Sequence, residues 1–146
     1  MWAFKPMFVA GAGAYGYTDP DSIKAACDAV LWYINTYSYN PARPTPWNQY
    51  IVKKLIERYS KLPTEAGGIV FYSMIVIKKA LEKAGEMFSD DPLNPNHLRQ
   101  AFLALDLEDR FGIVAQPYPT GRIKFNENGD NIYAGTAVLQ VQRIGG

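Results

Sequence analysis

The sequence predicts an α/β fold, and three observations carry that expectation. An apolar pentapeptide, Pro6-Met7-Phe8-Val9-Ala10, runs directly into a glycine-rich stretch, Gly11 to Gly16, as a buried strand runs into a loop. The middle of the chain repeats apolar residues at helical spacing, with Pro20, Pro46 and Pro95 each placed at the start of such a stretch. The last third changes to alternation of polar and apolar residues, which is the period of a strand.

Taken in order, the glycine-rich loop continues through Tyr17-Thr18-Asp19-Pro20, and a helix begins near Asp21 or Ser22. Asp19 or Asp21 is the candidate N-cap, and Pro20 suits an early position. Ile23, Ala26, Cys27, Val30 and Leu31 share one helical face, with Cys27 read as a small buried residue. The β-branched and aromatic run Val30 to Tyr37 ends as strand. Three prolines at 41, 44 and 46 define a connector, after which Thr45 caps a helix whose apolar face is Trp47, Ile51, Leu55 and Tyr59, with Lys53, Glu57 and Lys61 in water. Leu62-Pro63 separates this from a helix over about Glu65 to Ala84. Its middle, Ile69 to Ile77, is apolar nearly all round and is expected to be the most buried, with Gly85 as C-cap. Asp90-Asp91-Pro92 reads as a turn. Asn94-Pro95 opens a further helix with Leu98, Ala101, Phe102 and Leu105 inward. Arg122-Ile123-Lys124-Phe125 alternates as a strand, Asn128-Gly129 is a tight-turn signal, and Thr136 to Gln142 alternates again as the closing strand.

Composition bounds the function. The chain has 146 residues, 48% hydrophobic and 20% charged, with a net charge of +1, so it can bury a core and carries no electrostatic footprint for nucleic acid. The adjacent pairs Lys53-Lys54 and Lys78-Lys79 read as solvated helix faces. Cys27 is the only cysteine, which excludes an internal disulfide or a cysteine-cluster metal site. No run approaches the ~18 apolar residues of a membrane span. The first residues, Met1 to Pro6, lack the charged start and apolar core of a signal peptide, which implies an intracellular protein or an absent natural beginning. Tyrosine is abundant, at ten residues, several of them in loops, where a ring offers both apolar surface and a hydroxyl.

Gly11-Ala12-Gly13-Ala14-Tyr15-Gly16 matches the G-x-G-x-x-G spacing of a dinucleotide fingerprint, in which backbone N–H groups and a helix N-terminus hold a pyrophosphate. Its context differs: Tyr17, Asp19 and Pro20 keep the chain in a loop where the helix should open, and Thr36 to Asn40 lacks the acid expected about 20 residues on. What stands is a backbone-mediated ligand site at a strand's carboxyl end, or a structural turn. His97, the only histidine, has no nucleophile or orienting partner near it in sequence and reads as a surface residue. Asp90, Asp91, Asp106, Glu108 and Asp109 lack calcium-loop spacing and read as solvated turns. No nucleophile elbow, phosphate loop or zinc motif occurs, so no catalytic residue, metal or cofactor is expected.

The order of signals resembles the back part of one family. Phe8 to Pro20 resembles the second-lobe strand and loop of type I periplasmic solute-binding proteins of the branched-chain amino acid ABC transporter class. Tyr72 to Gly85, ending Ala80-Leu81-Glu82-Lys83-Ala84-Gly85, is similar to that family's helix end, and Asp91 to Leu105 to the short helix that follows. Thr120 to Asp130 resembles its Gly-x-Ile-x-Phe-x-x-x-Gly-Asp hairpin, and Val138 to Gln142 its closing strand. The resemblance implies part of a two-lobe flytrap fold, incomplete on its own, with residues about 1–36 and 121–146 in lobe two and about 41–120 in lobe one. It implies a small-molecule solute, a membrane permease as partner, a periplasmic or lipid-anchored extracellular location, and no chemistry. Gly11, Ala12, Gly13, Ala14, Tyr15 and Tyr17 are the ligand-binding candidates. Amino acid binders of the family place an acid in this loop to pair with the ligand's ammonium; Ala12 to Tyr17 contains none, which points instead to an aromatic or apolar carboxylate or amide. Tyr72 falls where the family has a buried-helix aromatic, with packing as its expected role. Two alternatives stand beside this reading: a nucleotide-binding domain using the glycine loop, and an assembly module that pairs as a homodimer or by domain swapping because its sheet edges and helix faces are uncovered.

Overall fold

The computed structural model describes residues 9–10, 20–108 and 118–142. Its first strand, β1 (Val9–Ala10), is followed by helix α1 (Pro20–Ala26), which passes into a 3₁₀ turn at Cys27–Val30. Pro20 takes the first helical position, where its missing N–H costs nothing. The helix stops because Cys27 sits at a positive φ of 50°, so the expected continuous face breaks there. Ile23, Ala26, Val30 and Leu31 are half-buried, but Cys27 is exposed, which corrects the expectation of a small core residue. The β-branched run then forms β2 (Ile34–Tyr37), as its side chains favour.

β2 is the centre of a three-stranded sheet in the order β1-β2-β5. It runs parallel to β1, with Ala10 opposite Asn35, and antiparallel to the closing strand β5 (Ala137–Gln140), with Asn35 opposite Leu139. Beyond the ladder, Trp32 N–H donates to the Val141 carbonyl at 2.8 Å and Val141 N–H to the Tyr33 carbonyl at 3.0 Å. Alternation decides the faces: Tyr33, Asn35, Tyr37 and Tyr39 are buried, and Val138, on the opposite side, is 67% exposed.

After β2 the chain crosses to helices α2 (Pro46–Tyr59) and α3 (Glu65–Met87). Pro46 opens α2 as expected, but the buried face is Asn48, Ile51 and Val52, with Trp47 and Leu55 half-buried, while Tyr59 is 59% exposed. A strict spacing of four advances 400° per step and drifts off a helical face; the i, i+3, i+4, i+7 set follows the 3.6-residue period. Asn48 Nδ2 donates to the carbonyls of Asn40, Pro41 and Arg43, at 3.0 to 3.2 Å, and so ties the proline connector to α2.

Helix α3 starts as a capped helix should, with Thr64 Oγ1 accepting from Gly67 N–H at 3.2 Å. It runs past Gly85 to Met87, with Phe88 as the C-cap residue, so Gly85 is an exposed interior glycine and not a terminator. Only one stripe of α3 is buried: Glu65, Gly68, Tyr72, Val76, Ala80 and Ala84. Val70 and Met74 are 62% and 59% exposed, against the expectation of burial all round the middle of this helix. Two partners meet it on one side. Tyr39 lies on Gly68, where a Cβ would fall 2.1 Å from the Tyr39 Cγ, and α4 (Pro95–Leu103) packs further along.

Asn94 caps α4 through a 3.0 Å bond from Asn96 N–H, as its sequence indicates. The chain then forms β3 (Asp106–Glu108), a strand the sequence reading places in a turn, which pairs antiparallel with β4 (Arg122–Lys124). Gly129, at φ 91°, makes the expected tight turn after β4, with its N–H bonded to the Asn126 carbonyl at 2.9 Å. Tyr72, Val76, Ala80, Leu105, Tyr118 and Ile123 form the hydrophobic core, joining α3, the end of α4 and β4. Among the described residues no helix is long and apolar enough to cross a membrane.

Candidate functional site

The site expected at Gly11, Ala12, Gly13, Ala14, Tyr15 and Tyr17 lies outside the described residues. The elements on either side of it fix where it begins. β1 ends at Ala10, opposite Asn35, and β1 and β2 are parallel, so both strands finish at the same end of the sheet, where the crossover that follows β2 begins. That end is the carboxyl end, where open α/β sheets place ligands.

The crossover itself is built from buried polar groups. Ser38, the first residue past β2, donates its N–H to Glu65 Oε1 at 2.6 Å, and its carbonyl accepts the Tyr72 hydroxyl at 3.4 Å. Glu65 is 5% exposed and stands in the first turn of α3, where the positive end of the helix dipole favours a carboxylate. Tyr39 is 1% exposed, and burial pushes its phenol up to about 12. Asn35 and Asn48 are wholly buried. Tyr72 serves as a core residue, edge-on to Tyr118 with ring centroids 5.3 Å apart, in keeping with a packing role.

The sequence reading passes over this group, because Asn35, Tyr39 and Glu65 fall between motifs and no local pattern marks a buried glutamate. The signal that finds Glu65 is its position directly after an N-cap threonine, together with the small Gly68 three residues on, which lets the crossover close against the helix. A separate cavity of about 350 Å³ opens between α3, α4 and β4, lined mainly by apolar and aromatic side chains including Tyr72, Ile77, Phe102 and Phe125.

The remaining candidates resolve into structure. His97 is half-buried, stacks on Phe88 at 4.0 Å between ring centroids, and hydrogen-bonds through Nδ1 to the Asp91 carbonyl at 2.8 Å. Asp106 and Glu108 sit on β3 and not in a solvated turn. Arg122 meets Asp106 at 2.9 Å and Glu108 at 3.1 Å, Lys124 meets Asp106 at 2.9 Å, and the Arg122 guanidinium lies 4.2 Å from the Tyr133 ring centroid. Arg122 and Lys124 hold the Asp106 carboxyl down to about 2. Asp109 lies outside the described residues. Among the described residues no group of three His, Cys, Asp or Glu side chains is placed to hold a metal ion.

Element order, the mixed three-stranded sheet and the hairpin after β4 together have the fold of part of a type I periplasmic binding protein. One solved structure with this likeness is the leucine-binding protein LivK of Thermotoga maritima. It is similar at a TM-score of 0.63 and 24% identity over 95% of this chain. The chain spans 35% of the length of LivK, so the likeness concerns about a third of that fold. No protein-family model and no curated protein matches the chain.

Proposed function

We propose that the chain is the C-terminal portion of a solute-binding protein. It holds a small solute, a branched-chain or aromatic amino acid or a related carboxylate or amide, for delivery to the membrane permease of an ABC transporter. In this reading residues about 1–36 and 121–146 belong to lobe two and about 41–120 to lobe one, with β4, packed on α3, as the seam where the tail leaves lobe one. The location that goes with it is periplasmic or extracellular and lipid-anchored. Gly11, Ala12, Gly13 and Ala14 offer backbone N–H groups to the solute, and Tyr15 and Tyr17 offer ring faces. The mechanism is lobe closure: contacts made only in the closed state shift the open–closed population toward it.

One observation supports this most: the fold likeness to LivK covers 95% of this chain, in which the glycine-rich segment follows the parallel-paired strand β1 in sequence. The test is an NMR titration of the chain with L-leucine, L-phenylalanine, 3-phenylpropionate and 3-phenylpropionamide, with NADH alongside. The expected result is shifts in the amides of Gly11 to Tyr17 with one of the first four probes, at millimolar affinity because only part of the cleft is present. Micromolar NADH binding would turn the assignment to the nucleotide-binding alternative, and silence of those amides toward every probe would end both.

A further inference from the structure

The hydrophobic core leaves a space at its margin that the side chains around it do not fill. The cavity of about 350 Å³ between α3, α4 and β4 is walled by core residues and by aromatic rings packed against them. Two edge-to-face ring pairs line it: Tyr72 with Tyr118, centroids 5.3 Å apart, and Phe102 with Phe125, at 6.1 Å. Protein interiors are packed as closely as organic crystals, and wall atoms without neighbours forfeit their dispersion contacts. Water fills such a space poorly, because each molecule needs about two to four polar partners and most of this wall is hydrocarbon. An apolar cavity of about 150 Å³ already admits benzene, so this one has room for a ring that carries a substituent.

The polar groups of the wall select among apolar occupants. Among the described residues no charged side chain lines the cavity, so an ionised ligand would lose its hydration and gain no counter-charge. Asn131, which does line it, supplies a fixed donor. Its Oδ1 accepts from Lys124 N–H at 3.2 Å and from Tyr133 N–H at 3.1 Å, which settles the end of the amide that faces the backbone. Nδ2 is left over, with no hydrogen-bond partner among the described residues. We propose that this cavity is a small-molecule site for neutral aromatic compounds with one hydrogen-bond acceptor, the ring held among the four aromatic side chains and the acceptor on Asn131 Nδ2. Rings prefer offset or edge-to-face neighbours, and the two pairs in the wall present both edges and faces to a fifth ring. The site is built without the Gly11–Tyr17 segment, and its ligand class does not depend on the solute-binding reading.

The experiment titrates the whole chain, carrying isotope-labelled methyl groups, with acetophenone, toluene and benzoate, which share a ring and differ in acceptor and charge. Acetophenone at millimolar concentration is expected to shift the methyl signals of Val76, Ile77 and Ile123 and the side-chain amide of Asn131. It is expected to bind about two- to tenfold more tightly than toluene, the range of one neutral hydrogen bond. Benzoate is expected to leave these signals in place. Asn131→Asp keeps an oxygen for the two backbone donors and removes Nδ2, and it is expected to erase the advantage of acetophenone over toluene. Ser73→Leu, on the half-buried wall of α3, is expected to fill the space and abolish binding of both. The comparison of the three probes on the unaltered chain decides the matter even where a variant fails to fold. Equal affinity for toluene and acetophenone, or benzoate binding as tight as that of acetophenone, would overturn the ligand class. Silence of these signals toward every probe would overturn the site, as would their movement on dilution of the ligand-free chain, the mark of a second copy seated there.

Discussion

At Tyr39 packing and polarity oppose one another. Its ring is seated on Gly68, and its hydroxyl is enclosed without a partner. The folded protein therefore favours the neutral phenol, whose pKa moves from 10.0 to about 12. A raised acid contributes stability that is whole below pH 10 and is lost as the pH climbs from about 10 to 12. Absorbance at 295 nm is expected to show one tyrosine ionising near 12, absent in Tyr39→Phe. Since that variant also deletes the unsatisfied hydroxyl, its urea midpoint at neutral pH is expected to rise, by about 1 kcal/mol in stability. Asp106 behaves in the opposite sense. With Arg122 and then Lys124 holding its carboxyl at about 2, against the ordinary 3.8, its contribution is complete above pH 4 and is lost as the pH falls toward 2. A carboxyl-carbon NMR titration is expected to place its midpoint near 2, moving back toward 3.8 in Arg122→Gln. Neither residue stands out in the sequence. Tyr39 is one of ten tyrosines, and the Asp106–Arg122 pair spans 16 positions that only the β3–β4 ladder brings together.

Among the elements, those with a local start signal were the legible ones. Pro20, Pro46 and Asn94-Pro95 mark helix starts that the structure keeps, since a proline or a capping side chain acts within one turn. Helix ends and faces were harder to read, because both depend on what packs alongside. Gly85 is tolerated inside α3 and stops nothing, and the apolar middle of that helix is buried along a single stripe. The stripe gives a direct contrast between substitutions. Ala80 is fully buried, and Ala80→Leu is expected to lower stability by about 1–3 kcal/mol through overpacking. Met74, on the exposed side, is expected to accept lysine with a change under about 0.5 kcal/mol. Thermal or urea denaturation of the two variants checks both outcomes. β3 escaped the sequence reading because a three-residue strand rich in charge has no periodicity to detect; its pairing with β4 defines it.

For the whole molecule, the alternating tail, the glycine-rich loop after a strand and the Asn128-Gly129 turn were enough to anticipate an α/β fold. The parallel partner of β1 was not named, since pairing between strands 25 residues apart is written in no local pattern. Composition marks the glycine-rich segment, which lies outside the described residues, whereas the buried group around Glu65 is marked only by tertiary contact. The two packing regions also differ in how they are held. The core of Tyr72, Val76, Ala80, Leu105, Tyr118 and Ile123 joins α3 and β4 with Phe102 of α4 packed against it, while among the described residues the β1-β2-β5 sheet contributes none to it. Amide hydrogen exchange is expected to be slowest in the buried turns of α3 and in Ile123, and faster by at least about tenfold in β2 and β5. Uniform protection across both regions would mean that they open as one unit.

The pairing of β2 with β5 brings Tyr33 beside Val141, more than a hundred residues along the chain. During synthesis β2 leaves the ribosome long before its antiparallel neighbour exists, and until then its only described strand partner is the two-residue β1. The helical core, by contrast, has all its members once Ile123 has emerged. Birth order thus sets assembly order: the helices can consolidate on the nascent chain, and the sheet that borders the glycine-rich segment closes only when the last strand arrives.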